Sequence, residues 1–343
     1  MNFSCVAEFN YFDTPEYLSL LMHIVTIVSI PIHCLGLYCI IYKTPERMKT
    51  VKWYLFALHS WIVVFDYSLS LLTVPFLLIP KGAGYPLGVS QYTDVPLVYQ
   101  TIIMMSLFAY MVISIVSIFE NRFFNICTFS FKHHWVFLRR LWLAAHYIIV
   151  VLFMIPMVFL VPEQTIAVQH TFEQLPCLPN YIYNAPVFVL SEDITYHFII
   201  SVIFVVLCCI EISVFVGYLA SNSLEQLKQK RMSPKTFQLQ KKFFIVLVIQ
   251  MSIPLICFLF PLISAALSVL LNYYNQGMIN TGLIIASWHG IVSTISMLIL
   301  HRPYRRAVKA LFYKSEMSNQ VEVSQSRFTN LRSSKTSIAV VTV

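Results

Sequence analysis

PLVYQTIIMMSLFAYMVISIVSIFENRFF, residues 96–124, carries no charge from Pro96 to Phe119 and then sets Glu120 and Arg122 two positions apart. An uncharged apolar run of this length can cross a hydrocarbon core, which takes about 20 residues as a helix. The charges at its end fit a membrane border, an ion pair, a catalytic dyad or a switch. Which of these applies depends on the rest of the chain.

The rest repeats the pattern. Of 343 residues, 58% are hydrophobic and 11% charged, and the mean hydropathy is +0.73. A soluble domain carries roughly a quarter charged residues, so this chain could not cover a soluble surface. Its apolar residues fall in seven blocks, at 18–42, 53–79, 96–119, 141–162, 194–220, 243–271 and 278–301. Barrel strands would be about half as long and would alternate. The expected fold is an all-α membrane protein, a bundle of seven transmembrane helices over 18–301. An N-terminal segment (1–17) precedes it, and a short helix (302–314) and a disordered tail (315–343) follow. The first block reads as a retained span: it is too long for a signal-peptide core, and its basic residues follow it.

Lys and Arg set the expected orientation. Twenty-two of the 23 fall on one side of the seven spans, and Lys81 alone lies on the other. By the positive-inside rule the N-terminus is outside and the C-terminus cytoplasmic. The net charge of +8 then reflects orientation and anionic inner-leaflet lipid, and calls for no nucleic acid. Only Cys5 and Cys177 face the oxidising side. A disulfide between them and a pair of free or intermolecular thiols both remain open. Asn2 heads a glycosylation sequon on the same side.

Ionisable residues inside spans are costly and usually functional. Asp66 lies midway along the second span, with His59 two turns before it and Thr73 on the same face. His289 in the last span is a possible partner. This set reads either as a polar hub that reorganises between two states or as a neutral, hydrogen-bonded carboxyl that only joins helices. Glu211 is a second buried acid. His23 and His33 read as structural histidines. No Lys or Arg lies within a span, which argues against a retinal Schiff base. No metal-ligand spacing, phosphate loop, HExxH or GxSxG motif is present, so no cofactor, metal or enzyme activity is expected. Pro254 and Pro261 are positioned to bend the sixth span. From Pro303, Ala307, Val308, Leu311 and Phe312 share one helical face and Arg305, Arg306 and Lys309 the other, the pattern of an interfacial helix. The Ser/Thr-rich tail offers phosphorylation sites for a kinase and an arrestin-like reader.

Together these features resemble a G-protein-coupled receptor. "PIHCLGLYCIIYKTPERMKTVKWYLFALHSWIVVFD" (31–66), "GYPLG" (84–88), "FENRFF" (119–124) and "WHGIVSTISMLILHRPYRRAV" (288–308) resemble the nematode serpentine receptor class H chemoreceptors, with likeness from about residue 15 to 315. The resemblance implies a chemosensory receptor in the plasma membrane, in a sensory cilium, that detects a small molecule and signals to a heterotrimeric G protein. It implies coupling through Glu120, Asn121 and Arg122, with Arg122 foremost, and an inner-end motif of His301, Arg302, Pro303, Tyr304 and Arg305. Residues i and i+2 of a helix point apart, so Glu120 and Arg122 address different neighbours. Tyr99, Tyr196 and Tyr273 are candidate ligand-pocket walls. Two features depart from rhodopsin-like receptors: no cysteine opens the third span, and the seventh lacks NPxxY. A seven-span ligand-gated channel and a transporter or partner protein are the competing functions; known insect odorant channels place the N-terminus inside.

Overall fold

The computed structural model describes residues 10–127, 129–175, 178–229 and 233–311. Among them, seven helical stretches are long and apolar enough to cross a membrane. Span 1 is α1 (Pro15–Lys43). It starts on Thr14, whose hydroxyl accepts from the Tyr17 N–H, with Pro15 in the first turn, where its missing N–H costs nothing. Span 2 is α2 (Lys49–Tyr67), extended by a wider π-type turn over Ser68–Thr73.

Here the structure corrects the sequence reading. The second helix stops at Thr73, short of residue 79. Pro75 disfavours a helical conformation at the residue before it, and Val74 turns left-handed at φ 40°. Its N–H still reaches the Leu69 carbonyl at 3.1 Å, and the Thr73 carbonyl accepts from Leu87 and Gly88 at 3.0 Å each. The chain then forms β1 (Pro75–Leu78) and β2 (Gly82–Pro86), an antiparallel hairpin. The expected seven-helix bundle stands, with a short sheet over its N-terminal end.

Spans 3 and 4 are α3 (Leu97–Ile126) and α4 (Lys132–Phe159). Two short helices, α5 (Gln164–Gln174) and α6 (Asn180–Tyr183), lead to β3 (Phe188–Ser191), which pairs with β2 to give the order β1-β2-β3. The Gln164 amide caps β3 like a further strand: Nε2 donates to Val189 O at 3.0 Å, and Oε1 accepts from Val189 N at 2.9 Å. Spans 5 and 6 are α7 (Thr195–Lys228) and α8 (Pro234–Leu270), the latter helical through both internal prolines. Span 7 is α9 (Gln276–Ser287) and α10 (His289–Leu300), interrupted at Trp288. Residues 302–311 are helical; the rest of the expected interfacial helix and the tail lie outside the described residues.

Several helices outrun their apolar blocks on the face where the C-terminal helix lies. Span 4 begins at Lys132 rather than 141, and span 5 continues to Lys228. These extra turns carry charges, which hydropathy does not count as span.

The two largest of five buried apolar clusters among the described residues organise the molecule. The main one joins Cys39 and Ile40 of α1, Leu55 and Ile62 of α2, Ile115 and Ile118 of α3, Leu247 of α8, Met297 of α10, and Tyr304. The second lies at the N-terminal face and knits Leu18 and Met22 to one side of the sheet (Phe76, Leu78, Ala83, Tyr85, Val189) and to the α5–α6 loop. The apolar windows of spans 1, 2, 3 and 7 are 39% to 50% buried, those of spans 4, 5 and 6 only 6% to 19%. Four helices thus form a frame, and three line its flank.

Candidate functional site

The hub at Asp66 draws on three helices. Its Oδ2 lies 3.1 Å from His33 Nε2 of α1 and its Oδ1 3.1 Å from His289 Nδ1 of α10, all three side chains being buried. The Thr294 hydroxyl donates to Gly290 O at 2.7 Å, so towards His33 Nδ1, at 3.2 Å, it can only accept. Nδ1 therefore carries a proton, and a single further proton lies between Nε2 and the Asp66 carboxyl, on one side or the other. His289 Nδ1 is 2.9 Å from the Ala286 carbonyl, which can only accept, so its N–H goes to that carbonyl and its 3.1 Å approach to Asp66 Oδ1 is a close polar contact without a hydrogen bond. His59 Nε2 reaches His33 O at 3.3 Å, so it supports the hub at one remove. Two glycines make this convergence possible. A Cβ on Gly290 would overlap the Asp66 carboxylate, and one on Gly36 would come within 2.8 Å of the His59 ring and of Thr294.

A second intramembrane pair joins spans 4 and 5. His146 Nε2 lies 3.1 Å and 3.2 Å from the two carboxylate oxygens of Glu211, while Nδ1 is 2.8 Å from the Trp142 carbonyl.

At the opposite face Glu120 is 3% exposed. It accepts from Arg139 Nη2 of α4 at 2.7 Å and from Trp135 Nε1 at 2.8 Å. Arg139 also donates to the Tyr54 hydroxyl at 3.1 Å and lies over the Phe124 ring. Asn121 accepts from Asn125 Nδ2 at 3.0 Å and is 3.4 Å from Arg139. Arg122 is half-buried on another side of α3, near enough to His301 for its charge to act on that imidazole. His301 in turn bonds Gln250 of span 6 at 3.1 Å. Tyr304 is fully buried, its hydroxyl 2.8 Å from Thr44 Oγ1. Arg305 caps α10 by donating to Ile299 O at 3.1 Å. Arg302 is exposed and Pro303 half-buried. Burial pushes the Cys127 thiol up to about 11, against the nearby charge of Lys132, so it stays neutral.

At the N-terminal face a cavity of about 320 Å³ lies beneath the sheet, between the ends of spans 2, 3, 5 and 7. Strand alternation divides the sheet. Pro75, Leu77, Gly82, Gly84, Phe188 and Leu190 roof the cavity, and their neighbours face the cap core. Thr73, Gln100, Thr101, Met104 and Leu283 wall it. The N-terminal segment is tied down beside it through Tyr274, Gln276 and Asn280, which donates to Phe12 O at 2.9 Å. Burial raises the hydroxyls of Tyr85, Tyr181 and Tyr274, that of Tyr181 to about 12. These phenols are neutral hydrogen-bonding groups at any physiological pH.

The description "Serpentine type 7TM GPCR chemoreceptor Srh" matches this chain over residues 13–314. The chain belongs to the Srh family. "Serpentine receptor class H-72" of Caenorhabditis elegans is 26% identical to it over 331 residues, covering 93% of this chain and 92% of the relative. Squid rhodopsin superposes with a TM-score of 0.52 over 92% of both chains, at 14% identity. That likeness shows a shared seven-helix fold. The protein is thus a multi-pass membrane protein of a serpentine chemoreceptor family.

Of the expected hub, His289 lies 3.1 Å from Asp66 while His59 reaches only the His33 carbonyl, and His33, which was read as structural, lies as close to Asp66 as His289 does. His146, the partner of Glu211, carries no motif that would single it out. Tyr99, Tyr196 and Tyr273 are exposed, and none lines the cavity. Cys5, Cys177 and Asn2 lie outside the described residues. Among the described residues no His/Cys/Asp/Glu group is arranged to hold a metal ion.

Proposed function

We propose that this Srh protein is a chemosensory receptor that binds a small molecule at its N-terminal, extracellular face and activates a heterotrimeric G protein at its cytoplasmic face. The observation that carries the coupling half is the division of labour at the end of span 3. Glu120 is committed to Arg139 and Trp135 of span 4, while Arg122 lies near enough to His301, where span 7 meets the 302–311 helix, for its charge to act on that imidazole. One helix end thereby bonds span 4, on the flank, through one residue and lies close to the junction with span 7 through another. A shift of span 7 changes the setting of Arg122 without first breaking the Glu120 cluster.

The charge asymmetry supports the orientation, since the basic turns of spans 4, 5 and 6 and the 302–311 helix share the C-terminal face. The plasma membrane of a sensory cilium is the site of action in this reading, and the Ser/Thr-rich tail is the target of a kinase and of an arrestin that ends the signal. No step of the reading requires catalysis by the chain itself.

The test is a full-length receptor in a heterologous cell with a G-protein activation sensor, screened against small volatile and water-soluble compounds. Arg122→Ala at matched surface level should abolish the evoked response while leaving ligand binding in place. A response that survives this change ends the coupling role of Arg122, and an evoked current that persists without G proteins overturns the receptor reading in favour of a channel.

A further inference from the structure

Charge is placed sparingly around the cavity beneath the sheet. Among the residues that line it Lys81 alone is charged, and no carboxylate lines it. Lys81 closes the turn between β1 and β2 and is half-buried. Acids lie close by in the fold, yet they are committed elsewhere. The strand register sets Gly82 against Ser191, so Lys81 and Glu192 extend the same two strands by one residue each. Glu192 meets His170 at 3.4 Å instead, and Asp193 accepts from the Thr195 N–H at 2.9 Å. The Lys81 ammonium forms no ion pair and no hydrogen bond among the described residues. On its flexible four-carbon stem it is free to swing across the mouth of the cavity.

The rest of the wall offers a ligand no side-chain donor. Thr73 gives its proton to Ser68 O at 2.7 Å and Thr101 gives its own to Leu97 O at 3.0 Å. Gln100 Nε2 donates to Val95 O at 2.8 Å and to Ser90 O at 3.3 Å, and its Oε1 is too deeply buried for a ligand to reach. Tyr85 belongs to the cap core. A ligand therefore finds apolar contact nearly everywhere and one cation at the turn.

We propose that this cavity binds a small organic carboxylate, its apolar body beneath the sheet and its carboxylate against Lys81. The inference deepens the receptor reading and rests on it for biological meaning, while the binding itself can be measured without it. At about 320 Å³ the space is at the small end of ligand cavities. Met104 and Leu283 face the apolar body. Held at the turn, the carboxylate keeps part of its water and avoids the full cost of burying a charge. Deeper in, it would meet only the oxygen lone pairs of Thr73 and Thr101, so the apolar end enters first. A neutral ligand of the same shape is the competing occupant.

The experiment uses the purified full chain in nanodiscs of neutral lipid, with thermal unfolding as readout. Three probes share one ring: cyclooctanecarboxylate, cyclooctanecarboxamide and cyclooctylmethylammonium. A ligand that binds only the folded state raises the Tm with its occupancy. The carboxylate should half-saturate the shift at a concentration roughly three- to ten-fold below the amide, as befits an ion pair at a water-exposed mouth, with the ammonium weaker still. Lys81→Met should bring acid and amide together, and Lys81→Glu should put the ammonium first. Met104→Trp, which fills the cavity, should remove all three shifts. Equal potency of acid and amide on the unaltered chain overturns the proposal without recourse to any variant. So does a preference for the acid that survives Lys81→Met, or a shift that survives Met104→Trp. No G protein is present, so a failure of coupling leaves this result untouched. Loss of the acid preference, in turn, sinks the ligand class and spares the receptor.

Discussion

Gly290 and Gly217 are both glycines within spans, and their surroundings give them opposite tolerance. A methyl on Gly290 would enter the Asp66 carboxylate, whereas a Cβ on Gly217 meets nothing within 4 Å. Gly290→Ala should therefore cost about 1–3 kcal/mol through overpacking, and Gly217→Ala should be neutral or stabilise by up to about 1 kcal/mol. Thermal unfolding of both variants in one detergent makes the comparison. Two carboxyls at the N-terminal face should also respond to pH with opposite sign. Hydrogen bonds from Thr195 hold Asp193 below its usual range, while burial raises Asp13 despite a bond from the Gly277 N–H. The Asp193 contribution is present above the ordinary carboxyl range and is lost as pH falls through its lowered value. That of Asp13 is a penalty on the ionised form, which sets in as pH rises through its raised value. Asp193→Asn should lower the Tm at pH 7 by an amount that vanishes on acidification; Asp13→Asn should not lower it, and any gain should fade in acid. At this scale sequence reading found Asp66 by its cost in a membrane. It passed over His33 because an imidazole in an apolar helix looks alike whether it packs or bonds.

Among the elements, the end of span 3 is held by a charge cluster that spans two helices and a tyrosine. Arg139 is the only cation within 4 Å of the Glu120 carboxylate among the described residues. Arg139→Met leaves that acid buried and uncompensated and should cost about 3–5 kcal/mol. Adding Glu120→Gln should return much of the loss, since the pair then leaves no orphaned charge. Denaturation of the two single variants and the double variant closes this cycle, and additive losses would show that the two residues do not interact. The pair was invisible in the sequence for a simple reason. Span 4 reads as starting at 141 because its first two turns are charged, so Arg139 was assigned to a loop. The strand at Pro75–Leu78 escaped on similar grounds: a short apolar run reads alike as the end of a span or as a buried strand. Pro75 is the local stop signal, and hydropathy alone does not register it.

For the molecule as a whole, seven spans and their order were legible from block length and charge, because lipid leaves the backbone few choices. Interior contacts were not, since each depends on which faces meet across helices far apart in the chain. The uneven burial has a mechanical meaning. Spans 4, 5 and 6 share little interior with the frame, so displacement there breaks the fewest contacts. The flank of the bundle is where a ligand-driven rearrangement costs least. Orientation has its own direct check. An epitope tag at the N-terminus should be labelled on intact cells, and a tag at the C-terminus only after permeabilisation. The reverse pattern would invert every assignment of outer and inner face made above.

The three-helix contact at Asp66 also constrains how the protein is made. A carboxyl in the centre of a span disfavours insertion by about 2.5–3.5 kcal/mol, and span 2 must enter the bilayer before span 7 exists. His33 lies in the helix synthesised just before, so spans 1 and 2 can enter as a hairpin with the acid already partnered. His289 follows on the order of tens of seconds later at ordinary elongation rates. Until then one oxygen of Asp66 waits for its second contact, and any factor that shields a nascent hairpin in the bilayer has that oxygen to protect.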